Sequence, residues 1–450
     1  MGEIEYEDFA KDAKPDIAAR DLIITNVFEF NRRNYSGGVT PTQASLYSQI
    51  PFVLCGLPSS NPLVLTHKMP DPVLLSHWRE SLNYSPTLIV VPPITGRICA
   101  DTIRNAGALL RLNRAWTAER APKVWGLTRD FVSMMVALGR EQLGSKLAHT
   151  VALVDLLDSK PGNHALISRV LSSGDFPFVR YPYLVTPSNV DALQESVEAL
   201  LTRWHKLIVK PCLTWGGKGT LTIDSKSFDD ALVAHLLQEQ FQEFSGGSFL
   251  IEPFFGTSPE ANLSPSVDWF SGERRAICGQ MLMTEFRCVG TVYGRLALAR
   301  AEGLRADMTR FVEQVASYLN ELGYSDWFDV DFLKTDAEVF VTEANLRHTG
   351  GTVAVAIAER LFGRSWESRI VCISVDGLHV IHSRPENIFR VAARHGFRPE
   401  DAGNTFILTG YLEQPSSTTV SFWLSSTDSA KAFAGARAIA SDLSGEHSSF

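Results

Sequence analysis

The amino-acid sequence predicts a protein of the α/β class with two or three domains. A chain of 450 residues is long enough for that number of domains of ordinary size. Hydrophobic residues make up 45% of the chain and charged residues 20%, which is typical of a globular protein with a sizeable core. Near the start of the chain, short β-prone runs alternate with segments of helical spacing, and this alternation favours a mainly parallel sheet.

The N-terminal domain is predicted to cover residues 1–150. Its strand-like runs are residues 21–29, 52–55 and 87–91. Apolar residues recur at helical intervals in residues 96–112 and 131–156. The start of the chain is acidic and lacks the apolar core of a signal peptide, and no stretch approaches the roughly 20 apolar residues of a membrane helix.

Charge and cysteine usage exclude several classes of protein. A net charge of −8 argues against non-specific binding to nucleic acid, which depends on clustered Lys and Arg. The six cysteines are scattered, without C-x-x-C or paired histidines, so they indicate reduced thiols and neither a zinc site nor a disulfide framework. We therefore expect a cytoplasmic protein that binds neither nucleic acid nor membrane. The oligomeric state stays open, a homodimer included.

The most informative motif is a predicted β-hairpin with oxygen donors at its ends. Its strands are residues 327–333 and 338–343, joined by a T-D-A turn. Asp331 ends the first strand region, while Glu343 and Asn345 end the second and share a face because they are two residues apart. Three oxygen donors with room for water and phosphate suit Mg²⁺. Arg347, another two residues on, adds a fixed positive charge; an ordinary surface hairpin is the alternative.

A second motif is a glycine-rich loop after a short strand at residues 207–210. The loop reads P-C-L-T-W-G-G-K-G-T, and a strand resumes at residues 220–223. Backbone amides freed by glycine wrap phosphate oxygens, and lysines supply charge. The candidate phosphate-binding residues are Lys210, Gly216, Gly217, Lys218 and Gly219. Neither a P-loop nor a dinucleotide fingerprint is present, and a plain hairpin turn is the alternative.

Together the two motifs resemble the ATP-grasp superfamily, and further matches occur in the expected order. Asp158-Ser159-Lys160 is similar to the segment with the first nucleotide-binding lysine. The run F-L-I-E-P-F-F at residues 249–255, which contains Glu252 and Phe254, resembles the adenine hinge, and Glu260 resembles the ribose-binding acid. The resemblance covers residues 151 to 360 and implies ATP and Mg²⁺ as cofactors.

The resemblance also implies how the chain is divided. Residues 1–150 would be the pre-ATP-grasp domain, and residues 151–362 the nucleotide-binding region, with an α+β lid at about residues 183–250. Residues 363–450 look like a separate small α/β unit, with strand-like runs at 370–374, 406–412 and 418–424. Helical spacing is predicted at residues 229–243, 304–322, 353–360, 385–395 and 429–442.

A narrower resemblance concerns the segment N-R-R-N-Y-S-G-G at residues 31–38. With the overall length and the C-terminal extension, it looks like the pheganomycin-type peptide ligases. These are ATP-grasp enzymes of natural-product biosynthesis, so the resemblance implies that a carboxylate is activated as an acyl phosphate and joined to the amine of an amino acid or peptide. Arg32 or Arg33 would then clamp a substrate carboxylate. A solvated loop is the alternative.

One position departs from the D-alanine ligase pattern, and it affects the catalytic assignment. That pattern has an arginine two residues before the first metal carboxylate, where this chain has Asp329. The oxyanion-stabilising role is therefore assigned first to Arg347 and second to Arg295. His348 is a candidate on the substrate side, with a structural histidine as the alternative.

Two other functions compete with amide ligation. One is another ATP-grasp carboxylating activity, which the absence of a biotin-carrier A-M-K-M motif disfavours. The other is a catalytically inactive nucleotide-binding protein that serves in assembly or regulation. The presence of all three candidate metal ligands and both strand-end lysines argues against such a loss of catalysis.

Overall fold

The structure is a computed structural model of the chain, and a defined part of the sequence is described. The described residues are 21–32, 47–59, 61–116, 122–186, 189–212, 219–226, 248–255, 264–284, 287–295, 297–298, 302–380 and 383–445. The predicted site residues Arg33, Gly216, Gly217, Lys218 and Glu260 lie outside them, as does the helix predicted at residues 229–243.

The N-terminal part contains a four-stranded, all-parallel sheet, as the sequence predicts. Its strands are β1 (Leu22–Ile24), β2 (Leu63–Thr66), β3 (Thr87–Val90) and β4 (Lys123–Val124), in the spatial order β3-β2-β1-β4. Its helices are α1 (Val27–Asn31), α2 (Gln49–Phe52), α3 (Pro72–Leu82), α4 (Ile98–Arg104), α5 (Ala106–Ala115), α6 (Arg129–Ala137) and α7 (Glu141–Leu157). Local signals set α3: the Asp71 side chain accepts a hydrogen bond from the Val73 backbone N–H, Pro72 opens the helix, and Asn83 ends it in the left-handed conformation.

Two of the predicted N-terminal strands are corrected by the structure. Residues 52–55, predicted as a strand, lie in helix α2 and a 3₁₀ turn, Val53–Gly56. Residues 21–29 contain only the three-residue strand β1, after which helix α1 begins. The 3₁₀ turn is buried on all sides, so its apolar run carries no periodicity that separates strand from helix.

A small antiparallel sheet lies in the segment that the sequence predicts to be a lid, and it is called the lid sheet below. Its strands are β6 (Leu184–Thr186), β7 (Lys206–Pro211), β8 (Leu221–Asp224) and β9 (Phe249–Pro253), in the order β6-β9-β7-β8. Helix α9 (Val190–Leu201) packs on this sheet through Leu193 and Val197, which join Leu207 and Ile251 in one apolar cluster. This apolar cluster is separate from the other cores, so the lid sheet and α9 pack around a core of their own.

The largest sheet has nine strands in the order β16-β17-β15-β12-β11-β10-β13-β14-β5. They are β5 (Val179–Arg180), β10 (Pro265–Phe270), β11 (Arg275–Thr284), β12 (Arg287–Gly294), β13 (Phe328–Lys334), β14 (Val339–Asn345), β15 (Val371–Val380), β16 (Asn404–Glu413) and β17 (Thr418–Ser426). Helices α8 (Lys160–Leu171) and α10 (Arg305–Glu321) share one apolar core with strands β13 and β14. The remaining helices are α11 (Gly350–Phe362), α12 (Pro385–Arg394) and α13 (Ser429–Ser444), with 3₁₀ turns at Glu302–Leu304 and Trp366–Ser368.

The C-terminal strands belong to this same sheet. Strand β15 pairs with β12 on one side and with β17 on the other. The predicted boundary between residues 362 and 363 therefore does not coincide with a break in the sheet. No helix among the described residues combines the length and the apolar character that crossing a membrane requires.

Buried hydrogen bonds also tie the N-terminal part to the C-terminal strands. The Trp78 indole Nε1–H donates to the Leu408 carbonyl at 2.9 Å, and the Leu408 backbone N–H donates to His77 Nε2 at 3.1 Å. The Tyr47 hydroxyl donates to Ser421 Oγ at 2.8 Å. The two ends of the described chain consequently share one large apolar core.

Candidate active site

The predicted hairpin is confirmed as the antiparallel pair β13–β14. Asp331 lies opposite Glu343, and Asp329 lies opposite Asn345. Because side chains two residues apart share a face, all four project from the same side of the sheet. Strand β10 extends this face, since its Asp268 lies opposite Asp329.

Three oxygen atoms on this face fit a bound cation. The Asn345 Nδ2–H donates to Asp331 Oδ2 at 3.0 Å. In contrast, the Oδ1 atoms of Asp329, Asp331 and Asn345 are buried and have no hydrogen-bond partner. Buried polar atoms in proteins are nearly always satisfied, and a hard cation satisfies such oxygens.

The side chains present make only part of a coordination sphere. Among the described residues, no three His, Cys, Asp or Glu side chains converge as a complete metal site. Mg²⁺ usually takes one or two carboxylates and completes its octahedron with water and substrate phosphates. The residues therefore fit Mg²⁺ that is held together with a phosphate group.

The carboxyl groups on this face lie close enough to destabilise one another's ionised forms. Burial, reinforced by the charges of Glu343 and Asp268, raises the pKa of Asp331 to about 7. Burial also raises the pKa of Asp268 to about 7, although hydrogen bonds from Tyr293 and Thr349 act in the opposite direction. The pKa of Asp329 is raised by burial, then by Asp331 and Asp268. A cation at this face would favour the ionised carboxylates.

The lysine at residue 160 reaches the carboxylate face. Helix α8 begins at Lys160, and its N-cap residue Ser159 accepts a hydrogen bond from the Gly162 backbone N–H. Lys160 Nζ lies 3.1 Å from Glu343 Oε1. Burial alone would lower the pKa of Lys160, but the Glu343 carboxylate outweighs it and the pKa is raised. Lys160 is therefore a charged ammonium beside a candidate metal ligand.

The second lysine belongs to a buried network at the lid. Lys210 Nζ lies 2.5 Å from Glu252 Oε2, and His164 Nε2 lies 3.0 Å from Glu252 Oε1. The Tyr183 ring stacks on the His164 imidazole at a centroid distance of 4.0 Å. Burial would raise the pKa of Glu252, but Lys210 and His164 outweigh it and hold the pKa at about 2. Glu252 is consequently an anion that links α8 to the lid strands β7 and β9.

Arg347 is oriented by a carboxylate that precedes Lys160. Arg347 Nη1 donates to Asp158 Oδ1 at 2.8 Å, and the Leu346 backbone N–H donates to the same oxygen at 3.0 Å. Burial acts to lower the pKa of Arg347, but the charges of Asp158, Glu343 and Asp329 raise it. The guanidinium is thus a fixed cation beside the carboxylate face.

The His348 side chain packs among aromatic rings. Its imidazole packs against the rings of Phe52 and Trp327 at centroid distances of 5.6 and 5.2 Å. Nδ1 lies 3.2 Å from the Thr352 hydroxyl. Burial lowers the pKa of His348 to about 3, so the ring is neutral. These contacts are those of a structural histidine, the alternative to the predicted substrate contact.

The other predicted residues within the described part of the chain follow different elements of the fold. Arg295 is exposed after strand β12, and its backbone N–H donates to the Ile370 carbonyl at 2.8 Å. Arg32 follows helix α1, with its guanidinium 5.9 Å from the Phe28 ring centroid. Phe254 follows strand β9, and its ring centroid lies 4.6 Å from Lys206 Nζ. Gly219 has a φ of +72°, a conformation that favours glycine.

The structure also adds residues that the sequence did not single out as site residues. These residues are Asp158, His164, Asp268 and Tyr293. The position of Asp158 next to Lys160 was the one available signal. Asp268 and Tyr293 come from separate strands, and their adjacency becomes visible only with the sheet order.

Neither a protein-family model nor the sequence of a curated protein matches the chain. The structure matches N5-carboxyaminoimidazole ribonucleotide synthetase from Thermus thermophilus, with 13% identity and a TM-score of 0.53 over 88% of this chain and 96% of that one. It also matches N5-carboxyaminoimidazole synthetase from Staphylococcus aureus complexed with ADP, with 11% identity and a TM-score of 0.53 over 94% and 97%. A third match is the β,γ-ATP complex of biotin carboxylase from Campylobacter jejuni, with 11% identity and a TM-score of 0.54 over 95% and 92%.

These matches establish the fold. The three enzymes are ATP-grasp proteins, and the chain shares the ATP-grasp fold with them along most of its length. The predicted fold class is confirmed. The narrower resemblance to pheganomycin-type peptide ligases has no support in these matches and stays a prediction.

Proposed function

We propose that the protein is an ATP-dependent, ADP-forming ligase that joins a carboxylate to an amine. The observation that carries this proposal is the face with Asp331, Glu343 and Asn345, which has Lys160 beside it and three unsatisfied buried oxygens on it. A carboxylate face that can hold a cation, together with nearby ammonium groups, suits the binding of a nucleoside triphosphate.

Charge neutralisation is the first task of these residues. Lys160 and Lys210 now pair with Glu343 and Glu252, and each would turn toward the phosphates when ATP binds. Asp331, Glu343 and Asn345 would hold Mg²⁺, which neutralises β- and γ-phosphate oxygens when bound. With these charges compensated, the substrate carboxylate attacks the γ-phosphorus in line, ADP leaves, and an acyl phosphate forms.

The second step is attack of the amine on the acyl phosphate. The neutral amine forms a carbon–nitrogen bond, and the carbonyl oxygen becomes an oxyanion. The oxyanion then collapses, the carbon–oxygen bond to phosphate breaks, inorganic phosphate leaves, and the nitrogen releases a proton to solvent. Arg347 is the first candidate to stabilise that oxyanion because Asp158 fixes its guanidinium beside the carboxylate face. Removing one preorganised donor of this kind typically costs about a hundredfold to a thousandfold in rate. Arg295 is the second candidate.

The finer proposal is that the acid and amine are amino-acid or peptide substrates of a natural-product pathway. It is supported by the N-R-R-N-Y-S-G-G segment. A carboxylating ligase is the second candidate function. It is favoured by the names of the matched enzymes, an N5-carboxyaminoimidazole ribonucleotide synthetase and a biotin carboxylase.

The central test replaces Glu343 by Ala and measures ADP and phosphate release with pairs of acids and amines. We expect Glu343→Ala to abolish Mg²⁺-dependent turnover because the variant loses both a metal ligand and the partner of Lys160. Glu338→Ala is the matched control, since Glu338 is exposed at the turn of the same hairpin. Near-normal turnover in a folded Glu343→Ala protein would place the metal site elsewhere.

The identity of the products separates the candidate functions. Release of AMP and pyrophosphate would contradict attack at the γ-phosphate and therefore the acyl-phosphate route. ATP hydrolysis that depends on bicarbonate and on no other acid would favour the carboxylating ligase. Absence of turnover with every acid, bicarbonate included, would favour a nucleotide-binding protein without catalysis.

A further inference from the structure

The carboxylate face continues across the sheet into strands β12 and β15. Gly279 on β11 has no side chain, and the Tyr293 ring passes over it so that the Tyr293 hydroxyl donates to Asp268 Oδ2 at 2.5 Å. Tyr293 on β12 therefore projects from the same side as the carboxylates. Thr291 shares that side with Tyr293, and it lies opposite Ser374 of β15.

Asp376 is the carboxyl group at the far side of this face, and it follows Ser374 by two residues on β15. Burial raises the pKa of Asp376 to about 7, although the nearby Ser374 side chain acts to lower it. Ser374 Oγ in turn lies 2.8 Å from Thr291 Oγ1. Asp376 is exposed, whereas Ser374 and Thr291 are buried, so its carboxyl group lies at the boundary between the buried part of the face and solvent.

The start of helix α11 ties Asp376 to the rest of the site. A Cβ built on Gly350 would lie 3.3 Å from Asp376 Oδ2, and one built on Gly351 would lie 3.0 Å from Asp268 Oδ1. The two glycines thus place the helix start between these carboxylates. The pKa of the Cys288 thiol is raised by burial, and the nearby carboxyl groups of Asp376, Asp331 and Asp329 raise it further.

The charge distribution along the face points to a cationic ligand. Lysines 160 and 210 approach from the end where strands β13 and β14 meet α8 and the lid. Within the described part of the chain, no Lys or Arg forms an ion pair with Asp376. In contrast, Glu343, Glu252 and Asp158 each form an ion pair with a Lys or Arg.

We propose that Asp376 binds the amino group of the amine substrate in its protonated form, with Ser374, which is hydrogen-bonded to Thr291, beside the carboxylate. The bound ammonium then releases a proton to solvent, and the neutral amine attacks the acyl phosphate. This assignment rests on the proposed ligase function. It gives the face two ends with different ligands: the lysine end takes phosphate and the Asp376 end takes ammonium. Strand β15, from the C-terminal part of the chain, then contributes directly to specificity for the amine.

The test compares a charged probe with a neutral one in ligand-observed saturation-transfer NMR on the full chain at pH 7. Glycinamide carries an ammonium and no carboxylate, and acetamide is its neutral counterpart. We expect glycinamide affinity to fall about tenfold to a hundredfold in Asp376→Asn, the range for a charge-assisted hydrogen bond. Asp376→Glu should retain binding, and Asp336→Asn, at the exposed hairpin turn, should match the unaltered protein.

Kinetics provide a second readout. Hydroxylamine is uncharged at neutral pH and traps an acyl phosphate as a hydroxamate without needing an ammonium site. Asp376→Asn should raise the KM for an amino-acid amine about tenfold to a hundredfold while the rate of hydroxamate formation stays unchanged. Thermal unfolding of Asp376→Asn verifies that the variant is folded.

The outcomes separate this inference from the ligase proposal. Equal glycinamide binding by Asp376→Asn and the unaltered protein would overturn the subsite, whatever the enzyme activity. Glycinamide binding that depends on Asp376, in a protein that releases no ADP with any acid, would retain the cation subsite and reject the ligase function. ADP release with an unchanged amine KM in Asp376→Asn would retain the ligase function and reject the subsite.

Discussion

Replacing Glu252 by Gln should loosen the lid, and the structure sets the size of the effect. Glu252 is 3% exposed and contacts both Lys210 and His164. Its pKa of about 2, against an ordinary value of 4.5, corresponds to about 3 kcal/mol of stabilisation of the ionised form, at about 1.36 kcal/mol for each pKa unit. Gln keeps the shape of Glu but removes the charge, so about 3 kcal/mol is a ceiling.

Hydrogen exchange followed by mass spectrometry measures this effect locally. Ile208 on β7 lies opposite Glu252 on β9, so peptides that cover these strands report the opening of the lid sheet. We expect their amides to exchange about tenfold to a hundredfold faster in Glu252→Gln. Peptides from β16 and β17, in another sheet, should be unchanged. Exchange in β7 and β9 within twofold of the unaltered protein would refute the network's role.

The pH dependence has a definite sign. Because the folded-state pKa of Glu252 is lowered, its contribution is fully present above pH 4.5 and is lost as pH falls toward 2. In the unaltered protein, exchange in β7 and β9, corrected for the intrinsic rate, should accelerate across this window. Glu252→Gln should lack that part of the acceleration. A parallel pH response in both proteins would contradict the pKa assignment.

Two further substitutions test the packing that holds the site. In Gly351→Ala, the new Cβ would clash with the Tyr293 hydroxyl and displace that hydroxyl from Asp268. We therefore expect a lower Tm and a decrease of about 1–3 kcal/mol in the free energy of unfolding. The control Gly303→Ala should leave Tm unchanged, because its Cβ would meet no atom within 4 Å. Trp78→Phe removes the hydrogen-bond donor to the Leu408 carbonyl. The equally buried Trp366 Nε1 has no hydrogen-bond partner in the described structure. In chemical denaturation, Trp78→Phe should therefore lower the free energy of unfolding more than Trp366→Phe does. The difference should be about 1–3 kcal/mol, and equal losses would show that this bond contributes nothing.

The parts of the site that could be predicted from the sequence are local. The β13–β14 hairpin follows from its turn residues and its alternation, and the common face of Glu343 and Asn345 follows from the two-residue period of a strand. The same is true of Lys160, which stands at the start of a helix with an N-cap serine and a proline. Short-range periodicity and end signals carry this information.

The remaining parts depend on pairings between distant segments. Asp268 adjoins Asp329 because β10 pairs with β13, although the two residues are far apart in the chain. Asp376 reaches the face because β15 pairs with β12, across the predicted domain boundary. No local pattern encodes which strands become neighbours. Residues 52–55 show the converse problem, since complete burial removes the periodicity that would have indicated a helix.

The order of strands in the nine-stranded sheet has a consequence for folding during synthesis. Strand β12 (Arg287–Gly294) acquires its second neighbour only when β15 (Val371–Val380) has left the ribosome. Until then its outer edge presents unpaired backbone groups, a feature that promotes pairing with other chains. Strand β15 is itself completed only by β17, close to the end of the chain. The nascent polypeptide therefore carries an open β-edge from the synthesis of β12 until β17 has emerged, and this is the period in which we expect chaperones to act on it.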